Sequence, residues 1–176
     1  MTWQRKCLNL GPKQLIDVDA AVKRYLNARR EFFSVAARNP EELGGNDNIV
    51  GRIGEYLALT YLRSVGRHPK KVASRSQQGH DLIEGDAQIS VKLISSENAN
   101  GRGLRLTDPW TELILIYLDT DSLTYQVGHL TKDLFSRARI ENPSWSAAPV
   151  IKKSMLSPNG LIGKYGEVVH RSFQDH

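Results

Sequence analysis

The run from Gly79 to Lys92 reads as a β-hairpin, and it constrains the fold more than any other stretch. Ala87, Ile89, Val91 and Leu93 fall on one side of a strand, and Gln88, Ser90 and Lys92 on the other. Successive side chains of a strand point to opposite faces. Gly85-Asp86 supplies a two-residue turn. That turn sets a register in which Glu84 opposes Ala87, Leu82 opposes Ile89, and Asp81 opposes Ser90. Directly opposed residues share a face. Asp81, Ser90 and Lys92 are therefore expected on one patch, with Leu82, Ile89, Val91 and Leu93 turned into the core.

A carboxylate beside a lysine is the minimum equipment for metal-assisted phosphodiester cleavage. The carboxylate holds a hard divalent ion, the ion polarises the phosphate and activates a water, and the lysine orients that water or stabilises developing charge. The plain alternative is a solvated hairpin face carrying an ordinary Asp–Lys pair, which contributes little energy.

The chain of 176 residues is read as a single domain, 1–176, long enough to bury a core. Its longest apolar run, Leu113 to Leu118, fits a buried strand and is too short to span a membrane. Met1 to Lys6 is not followed by the apolar stretch of a signal peptide. Cys7 is the single cysteine, which excludes an intrachain disulfide and a cysteine metal cluster and fits a reducing, cytoplasmic setting. A net charge of +5 permits nucleic-acid binding without establishing it. The basic residues come in short groups, among them Arg67 to Lys71, Arg102 to Arg105, and Lys152-Lys153. Most such groups are solvated surface.

Apolar spacing predicts a first helix over 12–38, ended by Asn39-Pro40, and a loop from Glu41 to Asp47. A second helix spans about 48–65, apolar around most of its circumference and ended by Gly66. Gly51, Gly54 and Ala58 form a small-residue strip on it that admits a close neighbour. Short strands follow: one near Val72, the hairpin, Glu112–Leu118 and Leu123–Gly128, the last two joined by a turn at 119–122. The polar stretch from Ser95 to Pro109 is long for a connection. A short helix is expected at 131–139, then an irregular extension over 140–176 with one late strand near 166–170. The fold class expected is α+β or mixed α/β, with a central mixed, mainly antiparallel sheet and helices against one face.

Glu55 is the anomaly of the second helix, because it shares a face with Gly51, Ala58, Leu59 and Leu62. A carboxylate in apolar company needs a partner or a metal. The alternative is that it reaches solvent or pairs with Arg52.

A helix carrying Gly54-Glu55-Tyr56-Leu57-Ala58, then a hairpin with His80-Asp81 on one strand and Ser90-Val91-Lys92 on the next, then two more strands, resembles the restriction-endonuclease-like PD-(D/E)xK nucleases. The resemblance covers about 48–129. It implies that Asp81 is the metal-binding aspartate, Lys92 the motif lysine, and Glu55 the helix-borne glutamate at the metal. It also implies Mg2+ as cofactor and DNA as substrate. His80 replaces the motif proline. Ser90 stands where a second acid belongs, which leaves the metal one charge short. Glu55 is the first candidate to supply that charge and Glu97 the second, with Gln88 as a neutral oxygen ligand. Arg75, Gln77 and Gln78 before the hairpin, and Arg102 and Arg105 in the long loop, are candidate DNA contacts. Cutting a duplex needs two sites, so a homodimer is expected. The alternatives are a nucleic-acid-binding module that keeps the fold without the activity, and an unrelated α+β protein.

Overall fold

A computed structural model describes residues 24, 27–43, 49–72, 79–96, 104–143 and 145–173. Arg75, Gln77, Gln78, Glu97 and Arg102, and most of the first half of the 12–38 helix, lie outside these residues. The chain divides into two compact units, Met1–Pro40 and Glu41–His176. In the first, residues 27–38 are helical, and Asn39 closes the helix by donating its side-chain amide to the Val35 carbonyl at 2.9 Å.

The second unit carries a six-stranded mixed sheet with helices, so the α+β reading holds. Its strands are β1 (Lys70–Lys71), β2 (Leu82–Glu84), β3 (Ala87–Ser95), β5 (Glu112–Asp119), β6 (Thr124–Thr131) and β8 (Glu167–Ser172), ordered β1-β2-β3-β5-β6-β8. Only the β3–β5 pair is parallel among the pairings of this sheet. A separate ribbon pairs β4 (Leu104–Arg105) with β7 (Val150–Ile151). The hairpin register is the one the turn dictates: Leu82 opposes Ile89 and Glu84 opposes Ala87. Gly85 at the turn has φ +57, a left-handed conformation that glycine adopts without strain.

Helix α1 (Ile49–Ser64) packs on one face of the sheet. Its Leu57, Ala58, Tyr61 and Leu62 meet Leu82, Ile89, Val91, Ile114, Ile116 and Val127. The small-residue strip does what its composition allows. A Cβ on Gly54 would lie 3.0 Å from Leu93 Cβ, so α1 sits close to β3 at this point. Gly66 ends the helix at φ +82, and Arg67 donates its backbone N–H back to the Leu62 carbonyl at 2.9 Å.

Helices α2 (Lys132–Glu141) and α3 (Leu161–Tyr165) cover the opposite face. Thr131 caps α2 by accepting the Leu134 N–H at 3.3 Å. Phe135, Ala138, Leu161 and Ile162 pack against Leu113, Leu115 and Leu130.

Several expectations are corrected. Helices cover both faces, because the odd-numbered and even-numbered residues of β5 are both apolar and each row demands a cover. Leu104–Arg105, read as part of a polar loop, is a strand, and Arg105 is placed there opposite Val150. Glu41–Leu43 belong to a helical turn. The segment after Ile140 contains β7, a 3-10 turn at Lys153–Leu156, α3 and β8, and β8 forms an edge of the main sheet beside β6. The helix 49–64, the strands at 112 and 124, and the turn between them fall within a few residues of their expected bounds. No helix among the described residues is long and apolar enough to cross a membrane.

Candidate functional site

The site begins where β2 stops. Backbone pairing between β2 and β3 ends at Leu82–Ile89, with Asp81 donating its N–H to the Ile89 carbonyl at 2.9 Å. The next amide on that edge of β3 is Val91, and it has no strand partner from β2. A buried amide needs an acceptor. Asp81 provides one: its Oδ2 accepts the Val91 N–H at 2.7 Å. The carboxylate is thereby fixed against the edge of β3 while keeping lone pairs in reserve, since a carboxylate offers about four acceptor sites.

At this edge the chain leaves a cleft of about 270 Å³. Asp81, Val91, Lys92 and Leu93 line it from the hairpin, Gly51, Arg52, Gly54 and Glu55 from α1, and Leu104 from β4. Glu55 comes to the cleft because Gly54 lets α1 approach Leu93. Three residues read from the sequence as a constellation, Glu55, Asp81 and Lys92, therefore share one cleft although they sit on three different elements.

Glu55 is not alone there. Lys71 Nζ, on β1, lies 2.6 Å from Glu55 Oε2. Lys71 is thus a partner of Glu55 that the sequence reading did not name. It was passed over there as a candidate site residue. Its only signal was position, since it precedes the hairpin on a short strand and so reaches the same edge.

Ser90 is placed elsewhere. It is 0% exposed and its Oγ has no hydrogen-bond partner among the described residues. In the parallel register it aligns with Leu113, a residue of the core beneath α2 and α3. The expected patch of Asp81, Ser90 and Lys92 is thus only partly formed: Asp81 and Lys92 line the cleft and Ser90 does not. The second layer of helices, which the sequence reading lacked, is the reason. Gln88 also lies off the cleft. Its backbone N–H donates to Thr111 Oγ1 at 2.8 Å, and its carbonyl accepts the Thr111 N–H at 2.8 Å. Arg105 is exposed on β4 and does not line the cleft.

Oxygen-rich donors suit a hard divalent ion, and two carboxylates in one cleft are such a donor set. Among the described residues no group of three or more His, Cys, Asp or Glu side chains is arranged to hold a metal ion. A metal here would rest on Asp81 and Glu55.

A second charged cluster joins the sheet to the end of α1. Arg67 donates from Nε to Glu84 Oε2 at 2.6 Å and from Nη1 to Glu112 Oε2 at 2.7 Å. His129 Nε2 donates to Glu112 Oε2 at 2.7 Å. Burial pushes the Glu112 carboxyl upward, but the hydrogen bonds from His129 and Arg67 outweigh it and hold the group at about 2. Tyr61, whose hydroxyl donates to Glu167 Oε2 at 3.3 Å, is pushed up to about 12 by burial and by the Glu167 charge. These groups are consumed by one another and read as a structural tie between α1, β2, β5 and β6.

Neither a family model nor a curated protein matches the chain.

Proposed function

We propose that this protein is a metal-dependent DNA endonuclease of the PD-(D/E)xK type. The observation that carries the reading is the shared cleft: Glu55 from α1, Asp81 before β2 and Lys92 on β3 line the same space. Asp81 and Glu55 would hold Mg2+, which would supply a Lewis acid and an activated water. Asp81 contributes a carboxylate fixed by the Val91 N–H. Glu55 contributes the charge that Ser90 lacks. Lys92 brings a cation to the reacting phosphate. The DNA is double-stranded and is cut by a homodimer, one site per strand, in a reducing cytoplasm.

A second reading has one observation in its favour. Glu55 is held by Lys71, and no third acid joins the cleft among the described residues. On that reading the protein binds nucleic acid without cutting it, with steep salt dependence and no need for metal.

Purified protein incubated with plasmid and phage DNA in Mg2+, with EDTA and Lys92→Ala as controls, separates the two. Nicking or linearisation that needs Mg2+ and disappears in Lys92→Ala supports the nuclease. Salt-sensitive binding without any cleavage transfers the assignment to the binding module.

A further inference from the structure

Glu55, in the lining of the cleft, is ion-paired to Lys71, which stands outside that lining. Lys71 and Glu55 side chains are 13% and 23% exposed, and their charged atoms are 2.6 Å apart. The pair ties edge strand β1 to α1. A carboxylate only 23% exposed is favoured by a nearby counter-charge, and Glu55 therefore calls for a cation beside it. Lys71 meets that requirement with a single ammonium on a four-carbon stem.

The charge balance of the cleft sharpens the point. Two carboxylates, Glu55 and Asp81, and two cations, Arg52 and Lys92, line the cleft, and Lys71 brings a further positive charge to Glu55 from outside that lining. A divalent ion added to this set meets an ammonium already seated on one of its two carboxylates. Ion and ammonium then compete for the same oxygen.

We propose that Lys71 is the resting counter-ion of the metal site, seated on Glu55 until a divalent cation displaces it. This rests on the metal-dependent reading above. Lys71 is a positioning residue: it holds Glu55 beside the cleft in the resting protein and sets how tightly the cation is taken up. Two consequences follow. Removing its charge tightens cation binding, and cation binding releases its amine to solvent.

Both are measurable without reference to cleavage. Free Mn2+ is followed by electron paramagnetic resonance during titration of the full chain, Lys71→Gln, Asp81→Asn, Glu55→Gln and the Lys71→Gln/Glu55→Gln pair. Lys71→Gln is expected to bind Mn2+ about tenfold more tightly, the equivalent of roughly 1.4 kcal/mol. That gain is expected to vanish when Glu55 is also Gln. Equal or weaker binding by Lys71→Gln, with binding still lost in Asp81→Asn, overturns the role of Lys71 and leaves the metal site standing. Absence of Mn2+ binding in every form, the unmodified chain included, overturns the metal-dependent reading and this inference with it. A second measurement needs no variant. Brief acetylation of the unmodified protein, read by mass spectrometry, is expected to modify Lys71 several-fold faster in saturating Mn2+ than in EDTA. An unchanged rate at Lys71 in protein that demonstrably binds Mn2+ overturns the inference even if Lys71→Gln does not fold.

Discussion

Val91 donates its backbone N–H to Asp81 Oδ2 at 2.7 Å, so the acid that lines the cleft also completes the hydrogen bonding of a strand edge. The structural role of this carboxylate and the metal-binding role proposed for it separate by substitution. Asp81→Asn retains an oxygen that accepts the Val91 N–H but loses the charge. Asp81→Ala leaves that buried amide without an acceptor, which costs about 1–3 kcal/mol. Denaturant unfolding is expected to place Asp81→Asn within about 1 kcal/mol of the parent and Asp81→Ala below it. Both are expected to lose Mg2+-dependent cleavage. An Asp81→Asn protein that is fully folded and fully active would remove Asp81 from the metal site.

What was legible in the sequence was local. The hairpin register follows from a turn and five alternating residues, all within about a dozen positions, so Glu84–Ala87 and Leu82–Ile89 fall where they were expected. The helix that carries Glu55 announces itself through apolar spacing and Gly66. What was not legible depends on distant partners. Nothing near Ser90 signals that α2 and α3, more than forty residues later, seal its face, and so a residue expected in the site lies in the core. Arg67 stands in a basic run that resembles solvated surface, yet Glu84 and Glu112 claim its guanidinium across 17 and 45 residues. Lys71 is hidden for the same reason: its identity is ordinary, and only its placement opposite Glu55 gives it meaning.

The Arg67–Glu112–His129 cluster predicts how the fold responds to acid. The Glu112 carboxyl sits at about 2 in the folded protein, below the ordinary value of 4.5 it regains on unfolding. A depressed carboxyl adds stability that is present above the unfolded value and is lost as pH falls through the folded one. Between pH 5 and pH 2 the protein is therefore expected to lose on the order of 3 kcal/mol through this group. Glu112→Gln is expected to be less stable at pH 7 and to show a flatter decline over that window. Urea unfolding of both proteins at pH 2, 3, 4 and 5 checks the slope. Parallel declines would show that other carboxylates govern acid unfolding.

Ser90 invites a substitution whose outcome distinguishes a core residue from a catalytic one. Its Oγ is buried without a partner among the described residues. Burying an unpaired hydroxyl costs about 1–3 kcal/mol, so Ser90→Ala is expected to be as stable as the parent or slightly more stable. Because Ser90 does not line the cleft, the same variant is expected to retain cleavage within about twofold, a difference below 0.5 kcal/mol in the barrier. Thermal unfolding and a plasmid nicking rate test the two halves separately. A large loss of rate with stability intact would return Ser90 to the site.

Gly54 sets the distance between the helix that carries Glu55 and the strand that carries Lys92. A Cβ there would lie 3.0 Å from Leu93 Cβ and 3.3 Å from Leu93 Cδ1, closer than side chains normally approach. Alanine gains about 1 kcal/mol of helix propensity over glycine in a helix interior, and the crowding against Leu93 opposes that gain. Gly54→Ala is therefore expected to change stability little in either direction. Valine adds two methyl groups at the same contact, and overpacking of this kind costs about 1–3 kcal/mol. Relief of the strain moves α1 away from β3 and so separates Glu55 from Lys92. Gly54→Val is expected to lose cleavage out of proportion to its loss of stability, which assays well below its unfolding temperature will reveal. Activity in Gly54→Val equal to that of the parent would mean that the approach of α1 to β3 at Leu93 does not position the site.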